Sequence, residues 1–251
     1  EKGPSGTISG DLYVLDQIKN HGEIIIDGNL FTNSIIDDHG GFTVTGMIDE
    51  DAGLMPRILP SLSFSAEGPD HQVDGSEVQI LEPGSYGRVE VKKGAKLQFS
   101  AGSYYLRELK TDDDTVIIFD ASAGEVELNV VKKLELGKDA EVQIAGGSTW
   151  DVLIYYAGKK EVEIEDRAIL RGTLVAPKAK VEFEKYSSFE GAVYAKNIYL
   201  DTGVYFQFHP NRPPVADTQT IFTDEDTPAS ITLSGSDPDE DSLTFTVVSQ
   251  P

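Results

Sequence analysis

The sequence of 251 residues contains no cysteine, which excludes disulfide staples, thiol catalysis and cysteine zinc sites. It is also poor in basic residues: 21 Lys and Arg stand against 43 Asp and Glu, a formal net charge of −22. A surface this negative repels phosphate backbones and anionic lipid, so nucleic-acid binding is excluded as the main role. No apolar run approaches the roughly 20 residues that span a bilayer, and no membrane insertion is expected. The start, Glu1-Lys2-Gly3-Pro4-Ser5-Gly6, lacks the charged and apolar regions of an export signal. What is present is a turn-rich globular composition, with 24 Gly and 12 Pro, that must fold on packing alone. The length suits one large domain, or one domain with a small extra piece.

Internal repetition is the strongest positive signal. Asn20-His21-Gly22 through Leu30 overlies Asp38-His39-Gly40 through Ile48 at a constant offset of 18. Val162, Ile164, Leu170, Gly172, Leu174 and Ala176 recur 19 residues later as Val181, Phe183, Phe189, Gly191, Val193 and Ala195. A longer echo places Lys93 to Ser103 over Lys138 to Ser148 at an offset of 45, about two periods plus a loop. Each unit reads apolar-x-Gly-x-apolar, each apolar residue two positions from the glycine, as in Ile26/Gly28/Leu30 and Leu170/Gly172/Leu174. That spacing is a strand signature.

Strands this short bury an apolar face only by stacking, and a period near 18–20 stacks them as the coils of a parallel β-helix. The expected fold class is therefore all-β: a single-stranded parallel β-helix, expected to be right-handed, over residues 1–208. An antiparallel sandwich is the bland alternative, but it needs no fixed offsets. Leu12, Leu15 and Ile18 fall at helical spacing behind Ser9 or Asp11, so Ser9 to Lys19 is read as a helix within an N-terminal cap over 1–19. Residues 49–76, with Pro56, Pro60 and Pro69, are read as a long loop excursion able to carry function.

The motifs Pro83-Gly84-Ser85-Tyr86, Ala101-Gly102-Ser103-Tyr104-Tyr105, Gly172-Thr173-Leu174-Val175-Ala176-Pro177 and Gly191-Ala192-Val193-Tyr194-Ala195-Lys196 resemble β-helical modules of bacterial surface proteins. The resemblance covers about 77–208. It implies an envelope or extracellular setting and no activity.

From Asn211 the character changes. Asn211-Arg212-Pro213-Pro214-Val215-Ala216 is a stiff linker, assigned to 209–216, and no Lys or Arg follows Arg212. Thr223-Asp224-Glu225-Asp226-Thr227-Pro228 and Ser236-Asp237-Pro238-Asp239-Glu240-Asp241 resemble the start of bacterial cadherin-like or immunoglobulin-like tandem repeats. Residues 217–251 are too few for such a sandwich and are read as a truncated β-sandwich fragment. The resemblance implies Ca²⁺ in the intact repeat, held by Glu225, Asp237, Asp239 and Asp241; a solvated acidic turn is the alternative.

Other candidate sites have ordinary explanations beside the chemical ones. His21 and His39 lie one coil apart and would reach one metal, or simply share a turn motif. Asp112-Asp113-Asp114 and Asp49-Glu50-Asp51 are read as hydrated loop tips. Glu161, Glu163, Glu165, Lys178, Lys180, Glu182 and Glu184 alternate along strands, as an outward charge ladder pairing across coils requires. A polysaccharide lyase or hydrolase of the β-helix type would use such charges converging on a groove, and is the enzymatic alternative. The expected role is non-catalytic: an extracellular adhesion or display scaffold for a glycan or protein of a cell surface or matrix, with self-assembly into polymers as a further alternative.

Overall fold

Alternating β-branched and aromatic residues, as in Val116-Ile117-Ile118-Phe119, set a two-residue period that puts Ile117 and Phe119 inside a core and Val116 and Ile118 outside. The computed structural model describes residues 6–10, 12–14, 18–20, 23–33, 36–38, 41–53, 60–208, 214–220, 222, 230–236 and 243–245. The chain divides into two units, Glu1–His209 and Pro210–Pro251.

The first unit is an all-β parallel solenoid with three faces. On face I one outward row runs Val78, Lys96, Val116, Glu141, Ile169, Ser188, Tyr205, Thr7, Ile25 and Thr43, all parallel neighbours in register. These ten described strands and the nine steps between them give a stack of roughly 43 Å at about 4.8 Å per step. Face II carries Ser85, Tyr105, Asn129, Tyr155, Val175 and Tyr194 in one outward row. Face III carries Gln72, Glu90, Lys110, Glu135, Glu163, Glu182 and Tyr199.

The repeats stack as their offsets require: Ile24 pairs with Phe42, and Gly172 with Gly191. The 45-residue echo is two coils, since Leu97 pairs with Ile117 and Ile117 with Val142. The order of coils in space, however, is not the order in sequence. Gly6–Ser9 pairs with Tyr205–Gln207 on one side and Ile24–Asp27 on the other. The N-terminal coils thus continue the stack beyond its C-terminal winding. The helix expected over Ser9 to Lys19 is corrected by this arrangement, because Leu12–Val14 and Ile18–Asn20 are strands, as is Gly6–Ser9 before them. Ladder pairing on both edges of Gly6–Ser9 outweighs the weak helical spacing.

Because the coil of Phe42–Val44 and that of His71–Val73 lie at opposite ends, the chain between them must travel back along the stack. The described stretch 60–70 of the excursion forms a return strap. In 60–70 the alternating residues Leu62, Phe64, Ala66 and Gly68 are half-buried, while Ser61, Ser63, Ser65 and Glu67 are exposed. Lys178 Nζ donates to the Leu62 carbonyl, Phe64 meets the edge of Tyr105 at 6.4 Å, and Glu67 N–H donates to Ser85 Oγ at 2.9 Å. Asn129 and Val175, outward on the same face, are buried at 5% and 7%. A Cβ on Gly68 would lie 2.8 Å from Tyr86 Cα and still closer to the Ser85 carbonyl. Gly68→Ala is expected to weaken strap docking by on the order of 1–2 kcal/mol. Limited proteolysis within 60–70 should then accelerate roughly tenfold, while the unfolding midpoint of the solenoid stays near that of the parent.

Packing fills the interior. Phe99 lies edge-on to Tyr104 at 4.9 Å and stacks on Phe119 at 5.5 Å. The void lined by Leu109, Ile117, Phe119 and Leu128 holds only about 10 Å³, no more than about the space of one water. Between faces III and I six successive coils each turn through one left-handed residue: Gly94, Asp114, Asp139, Arg167, Tyr186 and Gly203, with φ between 56° and 74°. The residue after each of these is buried, from Ala95 to Val204. The second unit has Val215–Ala216 antiparallel to Gly235–Ser236, and leaves Phe222 at 92% and Phe245 at 45% exposed.

Candidate functional site

Strand periodicity sends alternate side chains of face III outward, and parallel register stacks them in rows one coil apart. The expected ladder is present, but its charges do not simply alternate. Lys180 Nζ bonds Glu182 at 2.8 Å and also contacts Glu161, while Lys178 is given to the strap. Arg88 pairs with Glu108 at 2.9 Å, and Lys110 with Glu135 at 2.8 Å. Yet Glu135, Glu163 and Glu182 stack directly on one another, like charge on like.

The titration of this row follows from its neighbours. Burial pushes Glu135 up, but hydrogen bonds from Lys110 and Lys133 outweigh it and hold the carboxyl below its usual range. Glu163 is raised by burial and by the charge of Glu135. A hydrogen bond shared with Glu161, followed by burial, raises Glu182. Burial first and neighbouring carboxylates second raise Glu165 and Glu184.

A carboxyl raised in the folded state takes up a proton more readily there, so its stabilising effect is complete below its ordinary value of 4.5 and lost as pH rises through the raised value. Glu135, Glu161 and Asp139 are lowered and act oppositely, stabilising above their ordinary values and losing that effect as pH falls through the lowered ones. The thermal midpoint is therefore expected to rise from neutral pH to about pH 5 and to fall again by about pH 3. Glu163→Gln should raise the midpoint at neutral pH and flatten the acid-side rise. A curve that falls steadily from neutral pH would contradict this.

Face I carries a different arrangement. Arg171 Nε bonds Glu190 at 3.1 Å, and its Nη1 bonds Glu141 at 3.2 Å and the Val142 carbonyl at 2.6 Å. Glu141, Arg171 and Glu190, with Gln143, Ser148 and Thr149, line an open groove of about 470 Å³. Its rim is the turn Thr149–Asp151, capped by Ser148, whose Oγ accepts from Trp150 N–H at 3.2 Å while Ser148 N–H donates to Asp151 Oδ2 at 2.8 Å. Trp150 sets its ring edge-on to Phe208 at 5.8 Å. With Nε and Nη1 of the guanidinium engaged, the groove sets the carboxylates of Glu141 and Glu190 and the guanidinium of Arg171 beside the amide of Gln143 and the hydroxyl of Thr149. Such a lining suits hydroxyl-rich ligands. Sequence reasoning missed it, because Glu141, Arg171 and Glu190 lie 30 and 19 residues apart and meet only through stacking.

Of the sequence-derived sites, Glu225, Asp237, Asp239 and Asp241 lie outside the described residues, as do His21 and His39. Among the described residues no group of three His, Asp or Glu is placed to hold a metal ion. Asp114 and Asp112 are not simply hydrated: they reach Lys93 at 3.1 Å and Lys92 at 3.8 Å on the preceding coil. Asp49 accepts from Asp51 N–H at 3.1 Å. Among the described residues no helix is long and apolar enough to cross a membrane. Comparison with family models, curated proteins and solved structures finds no significant match to this chain.

Proposed function

We propose that the chain is a non-catalytic β-solenoid module of a large bacterial surface protein, working outside the cell as an adhesion or display scaffold for a glycan or a protein of a cell surface or matrix. The observation that supports this most is the filled core beneath outward rows held at coil spacing, which offers long repeating surfaces. Face I, with the groove around Gln143 and Arg171, is the surface proposed to meet the ligand. The C-terminal unit is read as the opening of a cadherin-like tandem repeat, which calcium would stiffen through Glu225, Asp237, Asp239 and Asp241.

Binding of the full chain to an immobilised glycan and matrix-protein panel, alongside a reducing-end assay on the same polysaccharides, tests this reading. Retention without new reducing ends is expected, weakened about tenfold by Gln143→Ala. Depolymerisation would instead establish the β-helix lyase or hydrolase alternative. End-to-end assembly is a second reading, favoured by Val78 and Ile80 at one terminal coil, 44% and 58% exposed, and Met47 and Ile48 at the other, 56% and 49% exposed.

A further inference from the structure

Among the described residues, face I alone is continuous where the N-terminal coils join the C-terminal winding. There, Tyr205–Gln207 fills the step between Ser188–Leu200 and Gly6–Ser9. On face I the chain reaches Phe208, whose N–H donates to the Ser9 carbonyl. The sequence then runs through Pro210, Pro213 and Pro214, which have no N–H to give a ladder. Among the described residues, Leu12–Val14 pairs with Leu30–Thr32, and Ile18–Asn20 with Ile36–Asp38. No described strand pairs with the far edge of Ser188–Leu200 at Asn197 to Leu200. Face I places one strand at this level, so the interruption on face III is one strand high, roughly 9.6 Å between its flanking strands.

Side-chain exposure marks the same place independently. Val162, Val181 and Ile198 form one inward column. Val162 and Val181 are fully buried, whereas Ile198 is 44% exposed and Tyr199 beside it 44%. A core position open to solvent beside an unpaired strand edge is a site for β-strand addition.

The second unit contains a segment of matching pattern: Leu243-Thr244-Phe245-Thr246-Val247-Val248, with Phe245 45% exposed. Laid parallel with Leu243 beside Ile198, it sets Phe245 beside Leu200, Thr244 beside Tyr199, and Asp241 beside the exposed Lys196. Apolar parity and charge both match in that register. Each chain carries both the edge and the segment, so copies can join in series, the segment of one on the edge of the next. We propose that residues 243–248 of a second copy add as a strand to the Asn197–Leu200 edge, linking solenoids head to tail. This inference stands apart from the ligand assigned to face I.

Sedimentation velocity of the full chain at rising concentration is expected to show dimers and larger species. Ile198→Asp should weaken association at least tenfold. Phe245→Asp, which lies outside the solenoid and leaves its folding untouched, should do the same. Because the protein has no cysteine, mixed Tyr199→Cys and Thr244→Cys copies should yield one disulfide-linked heterodimer under mild oxidation. A monomer at every concentration would overturn the proposal. So would closure of both cysteines within one chain carrying the pair, or association that Ile80→Asp abolishes and Ile198→Asp leaves unchanged.

Discussion

Gly191→Ala is expected to cost at least about 3 kcal/mol of folding stability. Gly191 has φ 131°, and a Cβ there would lie 2.9 Å from the Gly172 carbonyl carbon and closer still to its oxygen. That carbonyl belongs to a ladder and has no flexible side chain to give way. Gly172 has the same problem one coil earlier, with φ 125° and a Cβ 3.0 Å from the Val152 carbonyl. Gly124 supplies the internal control: its φ is 132°, but nothing lies within 4 Å of an added Cβ. Gly124→Ala should lose only the conformational part, about 1 kcal/mol. Denaturant midpoints compare the two directly, and equal losses would show that coil-on-coil contact at this corner contributes nothing.

Phe183→Ala is expected to cost about 4 kcal/mol, the usual range for deleting a fully buried ring being about 3–5 kcal/mol. Phe183 is 0% exposed and packs edge-on to Phe189 at 5.6 Å and to Phe206 at 4.7 Å. Phe206 in turn sits opposite Ile8 in the ladder that joins the two ends of the chain. The cavity left by Phe183 should therefore be felt across that joint. Amide exchange at Gly6–Ser9 should accelerate more than exchange at Lys96–Ser100, several coils away. Uniform acceleration would mean that the solenoid opens only as a whole.

Much of the architecture was legible because stacking turns sequence offsets into spatial neighbours. The offsets of 18 and 19 reappear as residue pairs, and the 45-residue echo as two steps of 20 and 25 residues. The order of the coils was not legible. Parallel pairing depends on edge complementarity and carries no mark of sequence distance, so nothing in Gly6–Ser9 announces Tyr205–Gln207 as its partner. Leu12, Leu15 and Ile18 fit a helical stripe by accident, with alternation too short to compete until neighbouring strands impose it. In the strap, Ser61-Leu62-Ser63-Phe64-Ser65-Ala66 did carry a two-residue period, overshadowed by the surrounding prolines. Asp114 and Asp139 are residues that tolerate a left-handed corner, but Arg167 and Tyr186 are not, and only stacking aligns all four. The groove around Arg171 was hidden for the same reason as the joint: its parts come from three separate coils.

The stacking of the N-terminal coils on the C-terminal winding is tested most directly by disulfide trapping in the cysteine-free chain. Thr7 and Tyr205 are paired neighbours on face I, at a separation that suits a disulfide. Thr7→Cys with Tyr205→Cys is predicted to close within one folded chain, read as a faster-migrating, reductant-sensitive band. A stack in plain sequence order would instead bring Thr43 beside Val78. Closure of Thr43→Cys with Val78→Cys, and none between 7 and 205, would contradict the account.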